Sequence, residues 1–239
     1  MSTVLPTTDL DRFRAIDDEL ADLSRSIRVL SNLTWPKDRQ ARFLEAWRAG
    51  RPELPEVELP PVDHSAEIEA LTTLMARCDR DHPLGDLLFK TAWSYATAAR
   101  MLGAIGTPAF TEHSVALYGR PDHVYERQNM SAMDGAASIL DVTDDLLRSD
   151  AVLRTVPDIP AEAFAERLRE ALGAFFDRDP VEVVVDPAMS AKAAAGSKRV
   201  KVQAGAMFSD LDLAQLLNHE AFIHTATSLN GKHQPLRVL

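Results

Sequence analysis

The first two thirds of the chain repeat apolar residues at spacings of three and four, which is the pattern of amphipathic α-helices. Leu10, Ile16 and Leu30 belong to the first such stripe, for which Thr8 or Asp9 is the predicted N-cap. Further stripes predict that the chain is largely helical up to about residue 177. The predicted helices cover approximately residues 9–30, 35–50, 65–77, 83–102, 108–117, 131–148 and 160–177.

The pattern changes after residue 180. Residues 181–185 are rich in β-branched side chains and bounded by Pro180 and Pro187, and residues 199–204 alternate apolar with polar positions, so both segments are predicted strands. Ser209 and Asp212 form a capping box that opens a last helix, which runs to about Asn230-Gly231. A Pro- and Glu-rich connector over 51–63 separates the first helices from the rest. We expect a mostly helical α+β protein with an N-terminal region at 1–63 and a second region at 64–239.

Composition limits the classes of function. The 239 residues carry a formal net charge of -10, which argues against nucleic acid as a partner because phosphate backbones need a basic surface. The single cysteine, Cys78, cannot form an internal disulfide. No secretory signal and no membrane-spanning run is visible, so we expect a cytoplasmic protein that does not enter a membrane.

The last predicted helix carries the residues with chemical potential. His219, Glu220 and His224 together supply two imidazoles and a carboxylate, the groups of a catalytic zinc site with a general base. At about 100° per residue, positions i and i+5 lie about 140° apart around an α-helix, too far for one metal. A π-type widening of the helix would bring the two imidazoles together, and we expect one here. The alternative is a chance occurrence of the pattern.

Longer segments around the motif resemble a known family. The chain resembles the tyrosine carboxypeptidase (MATCAP-like) metallopeptidases, whose bacterial relatives are labelled flavohemoglobin expression-modulating QEGLA-motif proteins. The resemblance covers most of 84–239. It is carried by Leu117-Tyr118-Gly119-Arg120-Pro121, residues 183–187, residues 191–196, residues 202–209, the HExxxH motif at 219–224 and Asn230-Gly231-Lys232-His233-Gln234-Pro235-Leu236.

The resemblance implies a zincin-like fold, with an active-site helix beside a short sheet. It also implies Zn²⁺ held by His219, His224 and a Glu from a later Gln-Glu-Gly-Leu-Ala segment, with Glu220 as the catalytic base. That segment is absent from the sequence. We expect a C-terminally truncated catalytic region, for which exposed apolar surface, a homodimer or poor stability would follow. The alternatives are an inactive site or a substitute ligand, for which the candidates are Glu112, His113, His123 and Glu126.

Three residues are candidates for substrate binding. Tyr118 and Arg120 lie in a Tyr-Gly-Arg-Pro turn, where Tyr118 could donate a hydrogen bond to a carbonyl or an oxyanion. Lys201 lies in a basic cluster with Lys198 and Arg199 and could bind a terminal carboxylate. The competing interpretations are a turn that only shapes the chain and a solvated face of a strand.

Two functions remain open from the sequence. The first is a zinc metallopeptidase of the carboxypeptidase type, whose substrate is the C-terminus of a peptide or protein. The second is a non-catalytic helical interaction or regulatory protein with an incomplete metal site. The direction of cleavage rests on the family resemblance alone.

Overall fold

A computed structural model describes residues 7–148, 156–176, 178–189, 191–196 and 198–238. The helices are α1 (Thr7–Ser24), α2 (Val29–Leu33), α3 (Lys37–Arg48), α4 (Ser65–Ala76), α5 (Pro83–Gly103), α6 (Pro108–Tyr118), α7 (Ala132–Arg148), α8 (Ala161–Phe175), α9 (Asp210–Leu216), a π-helix (Leu217–Thr225) and α10 (Ala226–Lys232). The strands are β1 (Val124–Tyr125), β2 (Met130–Ser131), β3 (Ile159–Pro160), β4 (Glu182–Asp186), β5 (Ala193–Ala195), β6 (Arg199–Gln203) and β7 (Met207–Phe208). The expected α+β class, mostly helical with small sheets, is confirmed.

The chain divides into two compact units, and the boundary between Ala136 and Ala137 lies inside α7. The first unit is helical, with α1 packed on α4 and α5, and α5 packed also on α6. Phe13, Leu20 and Leu71 are among its fully buried side chains. The predicted region boundary at residues 63 and 64 stays a prediction. None of the helices in the described ranges is long and apolar enough to cross a membrane.

The second unit is built on a three-stranded sheet of order β4-β6-β5. Strands β4 and β6 are parallel and pair Val183 with Val200, whereas β5 runs antiparallel to β6. Helix α8 packs its apolar face on this sheet, and the ring of Phe164 stacks on that of Phe208 with centroids 4.0 Å apart. The π-helix contacts α8, β5 and β6, so the sheet and α8 together support the motif helix.

Most helices and both strands predicted from the sequence are confirmed to within two residues at each end. The first helix is an exception, since it ends at Ser24 and Leu30 is 84% exposed. The hydroxyls of Ser24 and Ser26 donate to backbone carbonyls three residues back, which competes with continued helical bonding. The predicted N-cap at Thr8 or Asp9 is also wrong, because both residues lie within α1.

Some large apolar side chains on the predicted helices are not buried. Leu44 and Trp47 of α3 are 38% and 61% exposed, and Phe175 of α8 is 58% exposed. Helix α3 makes no extensive contact with another described helix or strand, so its apolar stripe has no partner there. Strand β5, made only of alanines, was not predicted, because alanine has little preference for strands.

Candidate metal centre

The helix that carries the motif begins with the predicted capping box. The Ser209 hydroxyl accepts from the backbone N–H of Asp212 at 3.2 Å, and the Asp212 carboxylate accepts from the backbone N–H of Ser209 at 2.7 Å. The Lys192 ammonium lies 2.9 Å from the same carboxylate and 4.7 Å from the ring centre of Phe208. These contacts attach the start of the helix to the segment before β5.

The helix widens at the motif. Residues Leu217–Thr225 form a π-helix between α9 and α10, and the backbone N–H of Ala226 donates to the carbonyl of Ala221, five residues back. A bonding interval of five residues places positions i and i+5 in register along the helix. The imidazole centroids of His219 and His224 are consequently 4.6 Å apart, with ring planes at 83°. The expected widening is confirmed.

Glu220 lies against the first of these histidines. Its Oε1 is 2.9 Å from Nδ1 of His219, and its side chain is only 13% exposed whereas that of His219 is 60% exposed. With the proton on Nδ1, the ring donates to the carboxylate and keeps the Nε2 lone pair for a ligand. A carboxylate in this place orients a histidine that binds a metal.

The donor atoms are close enough to converge on one ion. One nitrogen of each histidine and one oxygen of Glu220 all lie within 4.8 Å of one another. Two ligands on a tetrahedral zinc lie about 3.4 Å apart, so small side-chain rotations close the difference. Imidazole nitrogens are among the ligands that zinc prefers. The two histidines therefore fit two ligand positions of a zinc ion, and the Glu220 carboxylate lies beside them.

The opposite side of the π-helix is anchored in the unit. Ala221 and Thr225 are completely buried, and the Thr225 hydroxyl lies 3.3 Å from the carbonyl of Gly196, beside the end of β5. The Phe222 ring packs on that of Phe175 with centroids 4.6 Å apart. Buried residues therefore hold the helix in place while His219 and His224 stay exposed.

A comparison with family models places the sequence among known proteins. The model for microtubule-associated tyrosine carboxypeptidases matches residues 41–239, which is most of the chain and includes the whole motif helix. The chain belongs to the microtubule-associated tyrosine carboxypeptidase family. The resemblance noted in the sequence is thereby confirmed, and the family is one of peptidases. Neither the curated proteins nor the solved structures gave a match.

Lys201, predicted to bind substrate in this tyrosine carboxypeptidase family member, already has a charged partner. Strands β4 and β6 place it beside Asp186, and its ammonium lies 2.8 Å from Oδ2 of that residue. Arg199, two residues earlier, lies 3.8 Å from the Glu182 carboxylate. A role for Lys201 in binding a substrate carboxylate stays a prediction. The substrate carboxylate would have to compete with Asp186 for the Lys201 ammonium.

Tyr118 and Arg120 lie in the first unit, at the end of α6. Tyr118 is 69% exposed, and Gly119 takes a φ of 76°, which favours glycine and turns the chain out of the helix. The Arg120 guanidinium makes a bidentate pair with Asp122, with both distances at 2.8 Å. This pair lowers the pKa of Asp122 and raises that of Arg120. Their substrate-binding role in the tyrosine carboxypeptidase family stays a prediction.

The substitute ligands considered from the sequence also belong to the first unit. His123 packs edge-on against Tyr125 with centroids 5.6 Å apart. For Glu112, His113, His123 and Glu126 alike, metal binding stays a prediction. The roles of Lys192, Asp186 and Thr225 were missed, since each depends on a partner distant in sequence. The capping box at Ser209 was the one local signal that pointed toward Asp212 and its surroundings.

Proposed function

We propose that this chain is a zinc-dependent carboxypeptidase that removes a C-terminal tyrosine from a peptide or protein, with the HExxxH motif on the active-site helix of a zincin-like fold. One observation carries the proposal. The π-helix brings His219, Glu220 and His224 together in a chain that belongs to the tyrosine carboxypeptidase family. In a regular α-helix the imidazoles of His219 and His224 would point about 140° apart and would not lie side by side.

The two histidines would hold the metal through ring nitrogens. Their rings are exposed and nearly perpendicular, so both can turn a nitrogen toward one point outside the helix. Bound zinc supplies a Lewis acid that polarises a carbonyl and acidifies water. The Glu220 carboxylate, in contact with Nδ1 of His219, holds that ring in the tautomer with Nε2 free.

Glu220 is also the proposed proton-transfer group. Its carboxylate takes a proton from water as the water oxygen attacks the carbonyl carbon of the last peptide bond. It then gives that proton to the leaving nitrogen as the carbon–nitrogen bond breaks. The products are a shortened chain with a new carboxylate and free tyrosine. Partial burial of Glu220 strengthens its interaction with the developing charges, because the surrounding dielectric is low.

Substrate recognition is proposed for the three residues identified in the sequence. Lys201 would exchange its contact with Asp186 for the terminal carboxylate of the substrate. For Arg120 and Tyr118, which belong to the first unit, binding of the substrate chain is proposed from the family resemblance alone, with Arg120 as a cation and the exposed Tyr118 as a hydroxyl donor. Each assignment predicts a higher KM when the residue is changed, since each side chain is proposed to bind the peptide and not to transfer a proton.

The proposal is tested by measuring zinc content and tyrosine release from a peptide that ends in tyrosine. Wild type is expected to bind one zinc per chain and to release tyrosine. His224→Ala is expected to lose both. Glu220→Gln should keep the metal and lose roughly 10²–10⁴-fold in kcat, the usual contribution of a general base. His233→Ala is the matched control, because that exposed histidine contacts Asp179 outside the motif.

Two results would overturn the proposal. Wild type without zinc under zinc-saturating conditions would remove the metal centre. If wild type and Glu220→Gln both bind zinc and neither releases tyrosine, the result would instead support the alternative, a non-catalytic interaction protein.

A further inference from the structure

Thr225 differs from five other threonines in the described helices of this protein. In regular α-helices the threonine hydroxyl donates to the carbonyl four residues back, a common arrangement for this side chain. The hydroxyl of Thr225 instead lies 3.0 Å from the carbonyl of Glu220, five residues back. The residues with the four-residue contact are Thr72, Thr73, Thr91, Thr97 and Thr143, at distances between 2.6 and 3.1 Å.

The position of Thr225 makes this contact consequential. It directly follows His224, and its acceptor is the backbone carbonyl of Glu220, so the hydroxyl closes the widened turn that contains both residues. Thr225 is completely buried, and no water can replace its hydroxyl without a rearrangement. The side chain therefore favours the five-residue spacing at the place where the spacing sets the distance between the imidazoles.

A second carbonyl ties this turn to the sheet. The Thr225 hydroxyl lies 3.3 Å from the carbonyl of Gly196, in the turn between β5 and β6. The backbone N–H of Gly196 donates to the carbonyl of Arg199 at 2.9 Å, so this acceptor is itself held in place. A hydroxyl has a single proton and shares it between the two carbonyls.

We propose that Thr225 is a positioning residue, whose hydroxyl holds the π-turn so that His219 and His224 face each other. Its consequence for catalysis rests on the proposed function, but its effect on the two rings does not. A residue that orients ligands in this way typically changes metal affinity by about 10–100-fold when it is removed.

Three variants of the full chain separate the hydroxyl from side-chain shape. Thr225→Val keeps the branched shape and removes the hydroxyl, whereas Thr225→Ser keeps the hydroxyl. Thr227→Val is the control, because Thr227 is exposed two residues later on the same helix. The first readout is proximity of the His219 and His224 rings in metal-free protein, from proton–proton contacts in NMR. The second is affinity for zinc, with the absorption spectrum of cobalt(II) as a reporter of ligand geometry.

Thr225→Val is expected to lose the contact between the rings and about 10–100-fold in zinc affinity, with an altered cobalt spectrum. Thr225→Ser and Thr227→Val are expected to behave as wild type. Folded Thr225→Val with wild-type ring contacts would overturn the inference. So would a Thr225→Ser variant as impaired as Thr225→Val. If wild type binds neither metal, the proposed function fails, and the ring contacts in metal-free protein still decide the role of Thr225.

Discussion

Two helices of this protein begin with the same cap and then behave differently. Ser131 and Asp134 open α7, and Ser209 and Asp212 open the helix that carries the motif. In each pair the Asp carboxylate accepts from the Ser backbone N–H, at 2.8 Å and 2.7 Å, and the Ser hydroxyl accepts from the Asp backbone N–H, at 3.1 Å and 3.2 Å. The local sequence therefore produces the same N-terminal turn in both places.

Beyond the cap, the two helices diverge. Helix α7 stays regular through Arg148 and buries none of its residues, and its large apolar side chains are exposed. The motif helix buries Ala221 and Thr225 and changes to a π-helix at Leu217. The cap thus decides where a helix begins, whereas contacts with the sheet accompany the change in its pitch. The exposed apolar residues of α7 include Met133, Ile139, Leu140, Leu146 and Leu147.

The largest difference is expected from the same substitution placed in both helices. Ala221→Leu adds three carbons where the side chain is completely buried, which should cost about 1–3 kcal/mol of unfolding free energy. Ala137→Leu makes the same change on the exposed surface of α7, where the effect should stay within about 0.5 kcal/mol. Alanine and leucine have similar helix propensities, so packing alone separates the two variants. Chemical denaturation of both variants measures the difference.

A loss of similar size in both variants would contradict the comparison, since it would mean that α7 is as tightly packed as the motif helix. Zinc affinity offers a further readout for Ala221→Leu. The larger side chain should displace the buried side of the π-helix and move the neighbouring Glu220. The affinity for zinc should therefore fall together with the free energy of unfolding.

Removal of the cap serine should cost less and should cost the two helices about the same. Ser209→Ala and Ser131→Ala each remove a hydroxyl that accepts from a backbone N–H, with an expected loss of about 1 kcal/mol. The site of the damage should differ. In Ser131→Ala the amide protons of the first turn of α7 should exchange faster, because no buried residue of α7 holds the helix together.

In Ser209→Ala the loss should instead appear in the unfolding of the second unit, where the capped helix packs on the sheet. Hydrogen exchange read by mass spectrometry distinguishes these outcomes. Faster exchange confined to the first turn of α9, with unchanged unfolding of the unit, would show that the motif helix opens as independently as α7.

Local features of the fold and the site could be read from the sequence. The spacing of apolar residues located most helices, and the Ser-x-x-Asp pattern located the cap at Ser209. The widened turn was also predictable, because His219 and His224 cannot approach across five residues of a regular α-helix. These predictions succeed because they depend on residues within one or two turns of each other.

Features that depend on distant partners could not be read in this way. The apolar stripes of α3 and α7 are as amphipathic as those of buried helices. Their spacing does not indicate whether another helix or strand packs on them. The ion pair of Lys201 with Asp186 requires the parallel register of β4 and β6. In the sequence Thr225 resembles any helical threonine, and only the fold brings Gly196 next to its side chain. The topology of the chain determines these contacts, and the spacing of apolar residues does not predict the topology.

The smallest expected effect is a difference in acid sensitivity between the caps. The pKa of Asp134 lies below its ordinary 3.8, first because the Ser131 hydroxyl donates to it. For Asp212, burial has the largest influence and raises the pKa, but hydrogen bonds from Lys192 and Ser209 together lower it below 3.8. A lowered pKa stabilises the fold above the ordinary value, and this contribution is lost as pH falls through the lowered value. Both caps should therefore weaken only below about pH 4.

Lys192→Met separates the two caps. It removes the ammonium from Asp212 while the contacts of Asp212 with Ser209 remain, so the pKa of Asp212 should rise and the stability that its lowered pKa contributes at neutral pH should shrink. The pKa of Asp134 should not change, which makes it the internal reference. Carboxylate titration by NMR measures both groups in one sample. An unchanged pKa of Asp212 in Lys192→Met would mean that the hydrogen bonds from Ser209 alone keep this pKa low. The caps of the two helices would then be equally sensitive to acid.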